Sequence, residues 1–209
     1  LKVYPDAYVQ TNTPGGERYV DATAEIARRV DEGALIVNYI GHGGERGWAH
    51  ERILNLETIQ SWTNRRRLPV FMTATCELFR HDDPETYSAG EAILFNPDGG
   101  AVSLLTTTRT VYSAGNQQVN RAFFETALDE GDGSRCLGDI YLATKNSETI
   151  TSHTNARNFS LMGDPALSLA YPKHQVHFTE VPDTLRSLDR VVVKGFVGDA
   201  VGNVLSDFN

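Results

Sequence analysis

The chain has 209 residues, 40% hydrophobic and 22% charged, enough for one domain with a real core and a fraction of a second. A formal net charge of −8 leaves no basic stripe to displace counterions from phosphate, so a nucleic-acid partner is not expected. No run reaches the roughly 18 apolar residues of a membrane span. The two cysteines, Cys76 and Cys136, are too few for a disulfide framework and lack the CxxC spacing of zinc sites.

The chain opens at Leu1 without a signal peptide and reads as an excised or processed fragment. Residues 1–9 suggest an edge strand or its approach, and TNTPGG at 11–16 is turn chemistry. Val20, Ala24, Ala27 and Val30 recur at helical spacing, with Gly33 as the stop. This helix-then-strand order leaves room for a strand upstream of Leu1. Two apolar runs follow. Leu35 to Ile40 leads into Gly41-His42-Gly43-Gly44, and Pro69 to Thr75 leads into Cys76-Glu77. Short β-branched runs bounded by Gly or Pro read as buried parallel strands, and residues 53–67 are long enough for a crossover helix between them.

Ser88 to Phe95 is expected as a short helix, 96–100 as a turn and Ala101 to Thr106 as a third strand. A polar loop over 107–112 precedes a helix over 117–129, which residues 130–134 break. A further helix over 137–145 should bury Ile140, Leu142 and Ala143, and the last strand is expected at 166–170. From Pro172 the texture becomes all-β, with runs at 176–178 and 191–197 and a hairpin turn over 198–203. The expectation is an α/β layered fold at 1–172, its mostly parallel sheet flanked by helices. Residues 173–209 would begin a β-sandwich of Ig-like type, cut off at Asn209.

Ligands of such sheets bind at the carboxyl ends of the strands. His42 and Cys76 are 34 residues apart, one strand–helix–strand step, so both fall at neighbouring strand ends. Alone, His42 reads equally as a turn residue, and a strand-end Cys more often as an inert small hydrophobe. Together they make a nucleophile beside its base, because imidazole can take the thiol proton and the thiolate is what attacks. The amides of Gly43 and Cys76 are candidate oxyanion donors. Glu77 is a candidate to orient His42 or receive a basic group, and Thr106, Thr107, Thr108 and Arg109 to shape a substrate pocket. No GxSxG, Walker or HExxH motif competes, and His50, His81 and Cys136 fit no common metal spacing with His42. No metal or cofactor is called for, although Asp82, Asp83 and Glu85 could hold a structural calcium instead of forming a solvated loop.

The strand into His42-Gly43, the strand into Cys76 and the late Met162-Gly163-Asp164-Pro165 segment resemble the gingipain-type (C25) cysteine peptidases, which share the caspase-like fold. Within that family the wording is closest to the sortases of type IX secretion. It lies in Asn38 to Glu45, Gly47 to Arg52, Ser61 to Asn64, Thr73 to Glu77, Asp82 to Glu85, Ser88 to Glu91 and Thr106 to Ser113. The resemblance implies a bacterial cell-surface enzyme that removes the C-terminal sorting domain of secreted cargo through a Cys76 thioester. It implies transfer of the cargo to an amine on anionic lipopolysaccharide, alongside other outer-membrane secretion components. The family's His-orienting acid and its Arg-selecting Asp match no position here, so neither role is carried over. A purely hydrolytic gingipain-like endopeptidase and a catalytically silent cargo-docking scaffold are the alternatives.

Overall fold

The computed structural model describes residues 2–129, 135–151, 153–172, 174–184, 186–188, 190–199 and 201–206. They fall into two compact units, Leu1–Leu169 and Ala170–Asn209. The first opens on a 3₁₀ turn, Pro5–Ala7, where an edge strand or its approach was expected. Proline's fixed φ and missing N–H suit the start of a helical turn better than a ladder. A hairpin of β1 (Thr11–Thr13) and β2 (Gly16–Arg18) closes around Pro14 and Gly15.

Helix α1 (Val20–Glu32) buries Ala22 and Val30, while Glu25 is gripped by Arg28 and Arg29. Those two guanidiniums hold the Glu25 carboxyl down at about 2. Gly33, at φ +98°, ends the helix in backbone space that only glycine enters freely. Next come β3 (Ile36–Ile40), β4 (Gly43–Gly44), β5 (Gly47–Trp48), β6 (Leu54–Asn55), α2 (Leu56–Gln60), β7 (Val70–Ala74) and α3 (Ala89–Phe95). They are followed by β8 (Ser103–Thr107), α4 (Ser113–Ala127), α5 (Leu137–Lys145), α6 (His153–Asn158) and β9 (Phe159–Gly163).

The main sheet runs β3-β7-β8-β9, parallel across the first three strands and antiparallel at β9. Its register aligns Val37, Phe71, Leu104 and Met162 in one row. That row faces a core with Val30 of α1, Ile59 of α2, Ile93 of α3, Trp48 and Trp62. The next row holds the fully buried Met72 and Leu105, and α4 packs on that face. Helices on both faces explain why β7 and β8 are buried at every position, not at alternate ones.

Three expectations need correction. The crossover contains only the five-residue α2, because residues 54–55 are drawn into the small sheet β4-β5-β6 and Asn55 then caps the helix by accepting from the Thr58 N–H. The last strand is 159–163, not 166–170; the latter makes a single bridge from Ser168 to Cys136. In α5 the buried positions are Leu137, Ile140 and Thr144, with Leu142 62% exposed. Thr144 tolerates burial because its hydroxyl donates to the Ile140 carbonyl one turn back. By contrast α3 starts as read, with Ser88 and Glu91 forming a reciprocal capping box. The expected break at 130–134 lies outside the described residues.

The second unit pairs β10 (Gln175–Glu180) with β11 (Lys194–Gly198) antiparallel, with a bulge between Phe178 and Glu180. Asp199 organises the following turn by accepting from the amides of Val201 and Asn203.

Candidate active site

The site starts from the β3–β7 register. Ile40 lies opposite Ala74, and the Gly41 N–H still donates to the Ala74 carbonyl at 3.3 Å. The chain leaves the sheet one residue later on β3, at His42, and two residues later on β7, at Cys76. Both side chains are thus delivered to one end of the sheet.

His42 is exposed, and its backbone is held from two sides. The Ala49 amide and the Tyr39 hydroxyl both donate to the His42 carbonyl, each at 2.7 Å. Tyr39 is itself fixed by stacking on Trp48, with ring centroids 4.3 Å apart. Burial, reinforced by the charge of Glu51, pushes the Tyr39 phenol up to about 12, so it keeps its proton and this anchor throughout the physiological range. The His50 ring lies 5.8 Å from the His42 ring. Local sequence gave no sign of this pairing; the β4–β5 turn creates it by folding residue 50 back beside residue 42.

Gly43 sits where a side chain has no room. A Cβ there would come within 2.4 Å of Thr75 Oγ1 and 2.7 Å of the Gly47 carbonyl oxygen. Gly43→Ala must therefore push apart the two segments that carry His42 and Cys76. The expected outcome is a loss of about 1–3 kcal/mol of stability and a larger loss of peptidase activity, measured by denaturant unfolding beside kcat/KM.

Cys76 is half-buried, and its thiol faces the Val111 carbonyl at a sulfur–oxygen distance of 3.6 Å. The next residue, Glu77, has φ +51°, a left-handed conformation that turns the chain sharply after the cysteine. Val111 belongs to the loop after β8, which α6 clamps. Asn155 accepts from the Tyr112 N–H and donates to both the Tyr112 carbonyl and Asn116 Oδ1. Asn116 in turn donates to the Ala74 carbonyl, and Asn158 donates to that of Thr110. Asn155 and Asn116 are buried, and no sequence pattern announced them.

The remaining candidates are not brought together as a pocket. Thr106 and Thr107 are fully buried in β8, bonded to Thr73 Oγ1 and to the Thr75 carbonyl respectively, so they brace the sheet and cannot touch a substrate. Thr108 is tied by its amide and hydroxyl to the Asn158 carbonyl. Arg109 is exposed but holds Asp82 in a two-pronged ion pair, which keeps the Asp82 carboxyl below its usual range. Glu77 lies in the field of Arg80 and Arg109, and its amide donates to the Arg109 carbonyl. Arg80 also grips Glu45 at 2.6 Å, lacing the loop after Cys76 to the β4–β5 hairpin. Asp82 and Asp83 therefore face arginines, and among the described residues no group of three or more His, Cys, Asp or Glu could hold a metal ion.

Histidine and cysteine at adjoining carboxyl ends of a helix-flanked sheet are the layout of a gingipain-like cysteine peptidase, and the comparisons place the chain within that class. A family model described as Peptidase family C25 matches residues 1–170, and the chain belongs to that family. The chain is similar to the solved complex of Porphyromonas gingivalis RgpB pro- and mature domains, at TM-score 0.61 and 19% identity over 75% of this chain and 40% of that one. It is likewise similar to the Arg-specific cysteine proteinase gingipain R (RgpB), at TM-score 0.62 and 19% identity over 75% and 39% of the two chains. A third solved structure, titled simply as a protease, aligns at TM-score 0.56 and 16% identity over 81% and 43%. The chain thus spans about two fifths of the length of the solved chains it matches. A comparison with curated proteins returns no match.

Proposed function

We propose that this chain carries the catalytic dyad of a sortase of type IX secretion, of the kind called PorU, acting at the bacterial cell surface among other outer-membrane secretion components. It cleaves the C-terminal sorting domain from cargo and passes the acyl group to an amine on anionic lipopolysaccharide. The observation carrying the catalytic half is the shared strand end of His42 and Cys76, joined by the Gly41–Ala74 hydrogen bond. Cys76 attacks the peptide carbonyl, and amides at Gly43 and Cys76 receive the developing oxyanion. His42 protonates the leaving amine, and the thioester is then resolved by an incoming amine that gives its proton to His42. The reaction needs no cofactor. The sortase half rests on the motif wording between residues 38 and 113. Residues 173–209 fit the opening strands of a sandwich, since β10 leaves Val176 and Phe178 exposed and a lone strand pair is marginally stable.

The test supplies a peptide spanning a cargo cleavage site together with a primary amine and follows products by mass spectrometry. An amide-linked transfer product that depends on Cys76 is expected. Cleavage with hydrolysis alone would leave a gingipain-like endopeptidase. Intact peptide would leave a cargo-docking scaffold.

A further inference from the structure

The peptide unit that joins His42 to Gly43 carries two functions on one plane. Its N–H is the Gly43 oxyanion donor, and its carbonyl is the one gripped by the Tyr39 hydroxyl and the Ala49 N–H, each at 2.7 Å. The unit is trans, so its C=O and N–H point to opposite sides, and whatever fixes one fixes the other. Gly43 has no Cβ to resist rotation, and a turned peptide would present the carbonyl oxygen in place of the N–H. A developing oxyanion would then meet negative charge instead of a donor.

The β4–β5 ladder shows how the N–H is turned. Gly43 lies opposite Trp48, and Gly44 opposite Gly47. The bond from the Ala49 N–H to the His42 carbonyl falls just outside the Gly43–Trp48 pair, which makes that pair the non-hydrogen-bonded kind. Both backbone groups of Gly43 therefore face away from β5. Gly43 also packs against Thr75, the residue before Cys76, which brings this free edge beside the nucleophile.

The Tyr39 hydroxyl is held firmly for this task. Its ring lies flat on the buried Trp48, with 4.3 Å between centroids and 6° between planes. Trp48 is itself the ladder partner of Gly43, so the phenol is referenced to the hairpin it steadies. A Cβ on Gly41 would come within 2.5 Å of the Tyr39 hydroxyl oxygen, so glycine there leaves room for the hydroxyl to reach across the strand end. Hydrogen bonds to a carbonyl also polarise its peptide, which strengthens the N–H as a donor.

We infer that Tyr39 is a positioning residue for the oxyanion hole: its hydroxyl locks the His42–Gly43 peptide with the Gly43 N–H presented to the reacting carbonyl. The inference rests on the thioester reading of Cys76. The thiol proton passes to His42, sulfur adds to the acyl carbon, the C–S bond forms and the C=O π pair moves onto oxygen, where the Gly43 N–H meets it. When that pair returns, the bond to the leaving group breaks, and a departing amine takes its proton from His42.

The test compares two reagents on the full chain carrying Cys136→Ser, in which Cys76 is the only thiol. p-Nitrophenyl acetate acylates the thiolate through a tetrahedral oxyanion and releases p-nitrophenolate. Iodoacetamide alkylates the same sulfur by displacing iodide, and no oxyanion forms. Tyr39→Phe keeps the ring on Trp48 and removes only the hydroxyl. Acylation should slow roughly ten- to hundredfold, short of the full cost of a lost oxyanion donor because the Ala49 bond remains. Alkylation should be unchanged. Tyr141→Phe is the matched control, since it removes another hydroxyl-to-carbonyl bond, to Phe159 at 3.3 Å, and should alter neither rate.

Acylation and alkylation falling together in Tyr39→Phe, or neither falling, overturns the positioning role and leaves the dyad standing. A parent chain whose Cys76 reacts with both reagents no faster than free cysteine sinks the dyad reading, and the positioning role with it.

Discussion

Cys76→Ala is expected to abolish peptide cleavage, and His42→Ala to lower kcat/KM by roughly 10²–10⁴ while leaving the fold intact. Both side chains project from strand ends, outside the buried rows of the sheet, so neither substitution opens a core cavity. An electrophilic thiol probe reads the same pair without a substrate. Labelling of Cys76 should be rapid in the parent chain and slow sharply in His42→Ala, because the imidazole no longer draws the proton from sulfur. Cys136→Ser is the matched control. Cys136 caps α5, its thiol facing Asp139 Oδ2 at 3.2 Å, and serine is a good N-cap, so that variant should fold and leave Cys76 labelling unchanged. Cleavage surviving in Cys76→Ala, or labelling indifferent to His42, would remove the dyad.

Asn155→Ala should cost roughly 2–4 kcal/mol, since it strands the Tyr112 N–H, the Tyr112 carbonyl and Asn116 Oδ1 at once. For a chain of this size that corresponds to a fall of about 5–15 °C in Tm. The functional consequence separates a brace from a positioning residue. Asn155 fixes the loop whose Val111 carbonyl faces the Cys76 thiol, and it is linked through Asn116 to the end of β7. Releasing that loop should change the Cys76 labelling rate at temperatures far below the variant's Tm. The control is a core truncation of similar cost on the other face of the sheet, such as Leu104→Ala, which should lower Tm and leave labelling alone. If both variants label alike, Asn155 only stabilises.

Much of the scaffold was readable because its signals are local. Short apolar or β-branched runs bounded by Gly or Pro mark strands, and 36–40, 70–74 and 103–107 are each read within one or two residues at either end, the last two fully buried and the first an edge strand that leaves Asn38 and Ile40 exposed. The Ser88–Glu91 box and Gly33 mark helix ends through bonds made within one turn. The strand-end positions of His42 and Cys76 follow from the same runs, since where a strand stops is written in its own residues.

What the sequence by itself determined, then, was the helix-flanked sheet and the presence of a histidine and a cysteine at adjoining strand ends. Tertiary structure alone decided the rest. Helical and strand periods say which faces are apolar, not which neighbour covers them, so they placed Leu142 inside when Thr144 is the buried residue. Likewise they put Thr106 and Thr107 at the crevice, although β8 is a central strand that encloses both. The antiparallel β9, the Val111 carbonyl at Cys76, the Asn155 clamp and the folding of His50 beside His42 all join residues at least eight positions apart. Such contacts depend on chain closure and packing, which no local pattern of hydrophobicity records.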